Sequence, residues 1–343
     1  MILAFDIGGA NTKIALIENK KIVLEDSYYF PLFKYKNEFK NFLFNLIFDT
    51  IIPKIEDSEL GLSAAGITMT AELSDAFTSK CEGVNFILNS VENALEFFTE
   101  PIRIPVYVLS NNLCLITIDE ARKNPYLVAS ANWAASAWYA AKKYGNGILV
   151  DTGSTTTDII PIKDGEIKAK GKTDLKRLRA GELIYTGILR TNVSAIVNSV
   201  KVNNKKTPVS SELFAATADV YLILNEISEK DYTCETADLR GKSKKECISR
   251  LARVVCCDTN ELSEEQIVEI AKYVRERQIQ RIIEGIEKVK GKCNKIEILI
   301  GAGAGTFLLK EIAGRLNISL IESGINPAGA LGLMVEEELN KNQ

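Results

Sequence analysis

The chain contains no histidine among its 343 residues. That absence excludes imidazole acid–base catalysis, the Ser-His-Asp arrangement and His-ligated metals together. No CxxC pair occurs, and the seven cysteines, including the adjacent Cys256 and Cys257, are scattered. They are expected to be buried or incidental thiols rather than a zinc site or a redox pair. No strong excess of one charge exists: the formal net charge is −3, which excludes a general affinity for nucleic acid. No apolar run reaches a membrane span; Asn41 to Ile52 is short and carries Asp49. No basic, apolar leader precedes the first strand pattern, so a cytoplasmic location is expected. Acid–base or metal chemistry is left to carboxylates, lysine, tyrosine, cysteine or backbone.

What is present is one pattern, twice. Ile2 to Ile7 is an apolar run containing Asp6, followed by Gly8-Gly9-Ala10-Asn11-Thr12-Lys13 and a second apolar run, Ile14 to Ile17. Ile148 to Asp151 leads into Thr152-Gly153-Ser154-Thr155-Thr156-Thr157-Asp158 and then Ile159 to Ile162. Superposed at an offset of 145 (Asp6 on Asp151), the two share the Asp, the first Gly and a late Thr. Each reads as a strand, a tight turn and a returning strand. The small and hydroxyl residues of the turns suit phosphate oxygens. Asp6 and Asp151 suit a metal ion or a positioned water.

A chain of this length calls for two domains. Between the two copies, Lys21 to Ser27 offers a third strand. Tyr28 to Lys40 is aromatic and basic and reads either as a loop into a helix over 37–52 or as an aromatic rim for a flat substrate. A strand over 59–66 leads to Thr70-Ala71-Glu72-Leu73-Ser74-Asp75, where Thr68 or Thr70 could cap a short helix with Glu72 and Asp75 on one face. Helices are expected over 84–99 and 126–144, with a strand over 104–110 between them.

Beyond the second copy, Lys163-Asp164-Gly165 marks a hairpin turn. Arg177, Arg179 and Arg190 follow, as anion contacts or as solvated charges. Residues 197–207 read as an exposed strand pair or loop. Ser210-Ser211-Glu212 is expected to cap a helix running to Asn225. Residues 230–245 form an insertion leaning to disorder or a loop over a site. Helices follow over 247–257 and 263–290. Ile296 to Ile300 is a buried-type strand entering Gly301-Ala302-Gly303-Ala304-Gly305-Thr306, an anion-receptive strand, turn and helix start. Pro327 to Gly332 opens the last helix with small residues.

These pieces, in this order, resemble the actin-like ATPase superfamily of sugar kinases, heat-shock chaperones and hexokinase. Asp6 to Gly9 resembles its first phosphate loop, Asp151 to Ser154 its second, Gly301 to Thr306 its nucleoside-side loop, and Pro327 to Gly332 its second connecting helix. The resemblance implies an α/β fold of two duplicated ribonuclease H-like lobes with a cleft between them. The first lobe would hold residues 1–144 and 327–343, the second 145–326. Finer features resemble the hydantoinase/oxoprolinase-like proteins of methanogens and methylotrophs. These are Thr70 to Phe77, Ser130-Ala131-Asn132-Trp133, Gly181 to Gly187, Phe214 to Tyr221 and Thr236-Ala237-Asp238. One departure stands out: Leu239 occupies a position where the family pattern has glycine.

That branch includes an ether-forming reaction of methanofuran biosynthesis. In it the phenol of γ-glutamyltyramine displaces diphosphate from an aminomethyl-furanmethanol diphosphate. The resemblance therefore implies a transferase acting on small molecules with Mg²⁺, with no nucleic-acid or membrane partner; it sets no oligomeric state. Gly8, Gly9, Asn11, Thr12, Lys13, Gly153, Ser154, Thr155, Thr156, Gly301 and Gly303 would hold the diphosphate. Asp6 and Asp151 would be metal or metal-water ligands. Asp151 or Asp158 is the first choice of base for the phenol, with Glu72 or Asp75 second. Glu72, Asp75 and Asp238 would contact substrate. Two other functions suit the same fold: an ATP-dependent kinase or ATPase, and a nucleotide-sensing module without turnover. Asn111 and Asn112 stand where a sugar kinase would place a catalytic Asp, which counts against the kinase.

Overall fold

Each copy of the repeated pattern folds as its apolar runs dictate, into a hairpin whose first strand is buried almost throughout. In the computed structural model, which describes residues 1–58, 61–96, 104–291 and 297–341, the chain divides into two compact units. One comprises residues 1–145, 172–176 and 325–343; the other comprises 146–171 and 177–324.

In the first unit, Ile2–Ile7 (β1), Asn11–Glu18 (β2) and Lys21–Tyr29 (β3) form an antiparallel meander. Ala64–Met69 (β4) and Val106–Leu109 (β5) add in parallel on the far side of β1, and Leu115–Thr117 (β6) closes the edge. The strand order is β3-β2-β1-β4-β5-β6. Of the strand expected over 59–66, Glu59 and Leu60 lie outside the described residues; the strand begins at Ala64 and runs on to Met69. Residues 97–99 of the helix expected over 84–99 also lie outside them. One sheet face takes the final helix, Pro327–Lys341. The approach depends on missing side chains. A Cβ on Gly66 would sit 2.9 Å from Val335, and one on Gly332 would sit 2.4 Å from Ile17. The other face carries the apolar core with Phe5, Ile67, Leu43 and Val91.

In the second unit, Gly147–Thr152 (β7) and Thr157–Lys163 (β8) repeat the opening hairpin, and Glu166–Ile167 (β9) and Leu183–Ile184 (β10) pair with β8. Ser199–Val202 (β11) and Lys205–Pro208 (β12) form a separate hairpin, matching the strand pair read over 197–207. Ile298–Ala302 (β13) and Ser319–Glu322 (β14) add in parallel beside β7. The order β10-β8-β7-β13-β14 matches the first five positions of the first sheet, and β6 has no counterpart on this path among the described residues. Two α/β units with this antiparallel-then-parallel order are the duplicated ribonuclease H-like arrangement. The strand expected over 296–300 is β13, which runs Ile298–Ala302; Ile296 lies outside the described residues.

Several elements depart from the pattern reading for identifiable reasons. Of the aromatic stretch, Tyr28 and Tyr29 end β3 and a loop follows: Phe30 stacks on Phe42 at 4.4 Å between centroids and Lys36 sits over Phe77, while Tyr29 and Tyr35 stay exposed. Its helix runs Phe39–Leu46, passes through a π turn at Ile47–Ile51 and ends at Glu56. The helix read as continuous over 126–144 is broken, because Ser130 adopts φ +53° between Pro125–Val128 and Asn132–Tyr144. The helix expected to start at Ser210 covers only Thr217–Ile223, where Asp219 accepts from the Ala216 N–H instead.

The segment 230–245 is ordered rather than leaning to disorder. Arg250, fully buried on the helix Lys244–Arg253, reaches Asp219 at 2.8 Å and Asp238 at 3.0 Å. Arg253 takes the second oxygen of Asp238 at 3.0 Å. Leu239, beside that anchor, holds φ +58° and is 76% exposed. The loop thus keeps the left-handed turn that glycine normally serves and carries a strained, solvated leucine in it. Leu239→Gly is expected to stabilise the protein by about 1 kcal/mol, raising the melting temperature by about 2–4 °C in a thermal scan.

Candidate functional site

The two repeated turns are built by the same hydrogen bond. Gly8 N–H donates to the Asn11 carbonyl at 2.9 Å, and Gly153 N–H donates to the Thr156 carbonyl at 2.9 Å. Each turn is then held from behind through its carbonyls. Leu32 and Phe30 N–H groups bond the Gly9 and Ala10 carbonyls; Ile188 bonds that of Gly153, and Leu189 and Arg190 bond that of Ser154. In a trans peptide the C=O and the next N–H point in opposite directions. The N–H groups of Ala10 and Asn11, and of Ser154 and Thr155, therefore point away from the segments holding them. That is an anion-receptive arrangement. The two turns differ in the segments that hold them, which the repeat itself did not show.

Glycine matters at particular positions. A Cβ on Gly8 would lie 2.8 Å from the Asn11 carbonyl oxygen, whereas one on Gly9 would meet nothing within 4 Å. Gly187, in the segment behind the second turn, would place a Cβ 2.4 Å from the Ser154 carbonyl carbon. That segment is itself pinned underneath. Thr217 Oγ1 and Gln278 Nε2 both donate to the Gly187 carbonyl at 2.9 Å, and Tyr221 donates to Gln278 Oε1 at 2.6 Å. The motifs over 181–187 and 214–221 therefore support the turn from below. Sequence reading recorded these stretches without assigning them that role.

In the first turn, β1 and β2 place Asp6 directly opposite Lys13, and the two side chains meet at 3.1 Å. Asp6 is buried, and its Oδ1 has no hydrogen-bond partner. Thr68, its neighbour across β4, has a buried hydroxyl that is likewise unpartnered. Thr12 is fully buried, and its hydroxyl is likewise unpartnered.

In the second turn, the equivalent register sets Asp158 opposite Asp151. The charge of Asp158 is met by Arg177, 2% exposed, at 2.6 Å; Arg177 also donates to the Glu182 carbonyl at 3.1 Å. Arg177 is thus neither a solvated charge nor an anion contact, and Asp158, bound to a guanidinium, is poorly suited to act as a base. The Gly-rich turn after β13 comes beside the same carboxylate. Gly303, at φ +78°, would put a Cβ 2.4 Å from Asp151 Oδ1, and Gly305 N–H donates to the Thr152 carbonyl at 2.9 Å. Gly301 lies within β13.

The remaining expected residues fall elsewhere. Asp238 is occupied by its two arginines. Glu72 and Asp75 do not share a helix face: the chain makes only a 3-10 turn over Ala71–Leu73, with no side-chain cap from Thr70, and then extends. Asp75 is exposed, whereas Glu72 is 1% exposed. Ser130 donates to Glu72 Oε1 at 2.7 Å, and Oε2 has no partner. Burial pushes the Glu72 carboxyl up to about 7, against the lowering effects of the Ser130 bond and of Lys80.

A Mg²⁺ ion fits the donor chemistry here. Among the described residues no three His, Cys, Asp or Glu side chains converge as a metal cage. Mg²⁺ usually keeps waters and binds one or two carboxylates together with substrate phosphates. The unpartnered Asp6 Oδ1 offers such a carboxylate oxygen.

Two outcomes follow from this geometry. Gly8→Ala should weaken pyrophosphate binding at least tenfold by calorimetry, while Gly9→Ala leaves it within about twofold. Glu72, with its folded-state value raised, favours the folded state while protonated. Its contribution is full below about pH 4.5 and is lost as pH rises through about 7. Urea midpoints should fall over that window in the wild type, and Glu72→Gln should flatten the slope.

The hydantoinase/oxoprolinase family profile matches residues 63–331. The chain is 38% identical over 349 aligned positions, covering 99% of both chains, to a (4-{4-[2-(gamma-L-glutamylamino)ethyl]phenoxymethyl}furan-2-yl)methanamine synthase of Methanocaldococcus jannaschii. It is 39% identical over 208 positions, 57% of this chain and 93% of the other, to a synthase of the same name from Methanococcus vannielii. Among solved structures, a nucleotide-free acetone carboxylase superposes over 97% of this chain and 70% of its own, with a TM-score of 0.58 at 10% identity. That likeness bears on the fold alone.

Proposed function

The chain belongs to the hydantoinase/oxoprolinase family, and on that footing we propose that it is the ether-forming synthase of methanofuran biosynthesis. Its substrates would be an aminomethyl-furanmethanol diphosphate and γ-glutamyltyramine, and its products the furan-methyl aryl ether and pyrophosphate. The observation that carries this reading is the end-to-end similarity to the Methanocaldococcus jannaschii synthase. The two anion-receptive turns, each beside an aspartate, supply chemistry that suits a diphosphate leaving group.

The phenol oxygen forms a bond to the furan methylene as the methylene–oxygen bond to diphosphate breaks. The furan ring stabilises positive charge on that carbon, so the main tasks are to hold and neutralise the leaving group and to align the phenol. The N–H groups of Ala10 and Asn11 and those of Ser154 and Thr155 would donate to phosphate oxygens, and Lys13 would add a cation. Bound Mg²⁺ would neutralise charge on the leaving diphosphate, with Asp6 Oδ1 as a protein-side ligand. The phenol proton goes to a carboxylate. Asp158 is committed to Arg177, which leaves Asp151 as the stronger candidate in that turn.

Purified protein given Mg²⁺, the furan diphosphate and γ-glutamyltyramine should release pyrophosphate and aryl ether in equal amounts. ATP hydrolysis without ether would instead identify an ATPase. Asp151→Asn should lower ether formation by at least about 10³-fold with an unchanged melting curve; full activity would remove Asp151 from the chemistry. Chelation of divalent cations should stop turnover, and added Mg²⁺ should restore it.

A further inference from the structure

Glu72 is a carboxylate that the fold goes to some length to hold indoors. Three features fix it. Ser130 adopts φ +53°, a left-handed conformation costly for a serine, and donates to Oε1 at 2.7 Å. Gly83 lets the helix Lys80–Leu95 lie against the Glu72 backbone, since a Cβ there would be 2.6 Å from its Cα. The 3-10 turn over Ala71–Leu73 turns Glu72 inward and Leu73 outward.

None of this satisfies Oε2, which is buried without a partner, as is the Ser74 hydroxyl two residues on. The nearest cation is Lys80. Its Nζ stands 4.0 Å from Glu72 and 4.0 Å from Asp174, beyond hydrogen-bond reach of both. A buried carboxylate oxygen without a donor is costly, and the cost is removed by a ligand that brings both positive charge and N–H groups.

We propose that Glu72 is the receptor for a primary ammonium group of a substrate, which donates to Oε2 and sets substrate selectivity. The assignment rests on the ether-synthase reading, whose product is a methanamine carrying a γ-glutamyl group. Two ammonium groups are therefore available: the aminomethyl arm of the furan and the α-ammonium of the glutamyl end. Both present the same chemistry, and the experiment separates them.

The test compares kcat/KM for the natural pair, for a furan diphosphate with methyl in place of aminomethyl, and for glutaryl-tyramine in place of γ-glutamyltyramine. Wild-type protein should prefer one amine-bearing substrate over its amine-free analogue by at least 100-fold, and in Glu72→Gln that ratio should collapse to within a few-fold of one. The substrate whose ratio collapses is the one Glu72 reads. Equal losses on amine-bearing and amine-free substrates, with both ratios unchanged, would overturn the proposal and mark Glu72 as a base or as structural. Ser130→Ala, which keeps the carboxylate but releases its tether, should lower the same ratio about tenfold and keeps the test open if Glu72→Gln does not fold.

Calorimetry of aminomethyl-furanmethanol and of γ-glutamyltyramine, each alone, supplies a readout without turnover. One of the two should bind wild type at least tenfold tighter than Glu72→Gln. If no ether forms from any pair while that difference persists, the synthase reading fails and the ammonium receptor stands. If ether forms and neither binding nor selectivity changes, the receptor fails and the synthase reading stands.

Discussion

The structure depends on the register of two antiparallel hairpins. In each, one backbone hydrogen bond across the turn, Gly8 to Asn11 and Gly153 to Thr156, fixes which residues face each other. A slip of one residue would move Asp6 and Asp151 to the opposite sheet face. The same register decides the electrostatics. It sets a lysine opposite the first aspartate and a second aspartate opposite the other. The first pair neutralises itself across the strands. The second needs a cation from elsewhere, and Arg177 fills that need from inside the protein. Duplication thus preserved the backbone of the turn while the charges around it diverged.

Support for the second turn comes from beneath. Gly187 lies flat against Ser154 and Thr155, and its carbonyl collects donors from Thr217 and Gln278. Three distant pieces of chain meet at one carbonyl, so the turn is braced before any ligand arrives. Pre-positioned N–H groups of this kind need no reorganisation when charge builds on a leaving group. A second buried polar cluster, Asp219 with Arg250 and Asp238, anchors the segment 230–245 in the same unit. Its arginine is fully buried and its partners are satisfied. By that measure it is a structural device, in contrast to Glu72, whose second oxygen is left open.

That contrast shows how much of the site was legible beforehand. The hairpins, the glycines at their turns, the Gly-rich turn after β13 and the small-residue face of the last helix all follow from local pattern. Periodicity and turn chemistry act over a few residues, and those were readable. Arg177 was readable only as a charge near a phosphate-type turn, and Glu72 only as one of two carboxylates three apart. The fold separated that second pair, burying Glu72 and exposing Asp75, because the backbone there makes one tight turn and then extends.

By itself, the sequence determined that histidine takes no part in the chemistry, that the chain carries one phosphate-type turn twice, and that an aspartate stands near the end of the first strand of each copy. Only the tertiary structure decided which carboxylates are available. Asp158 and Asp238 are claimed by arginines 19 and 12 or more residues away, and Glu72 is held by a serine 58 residues downstream. The reason is physical: a turn is fixed by the residues within it, whereas the state of a buried charge is set by whatever the fold brings against it.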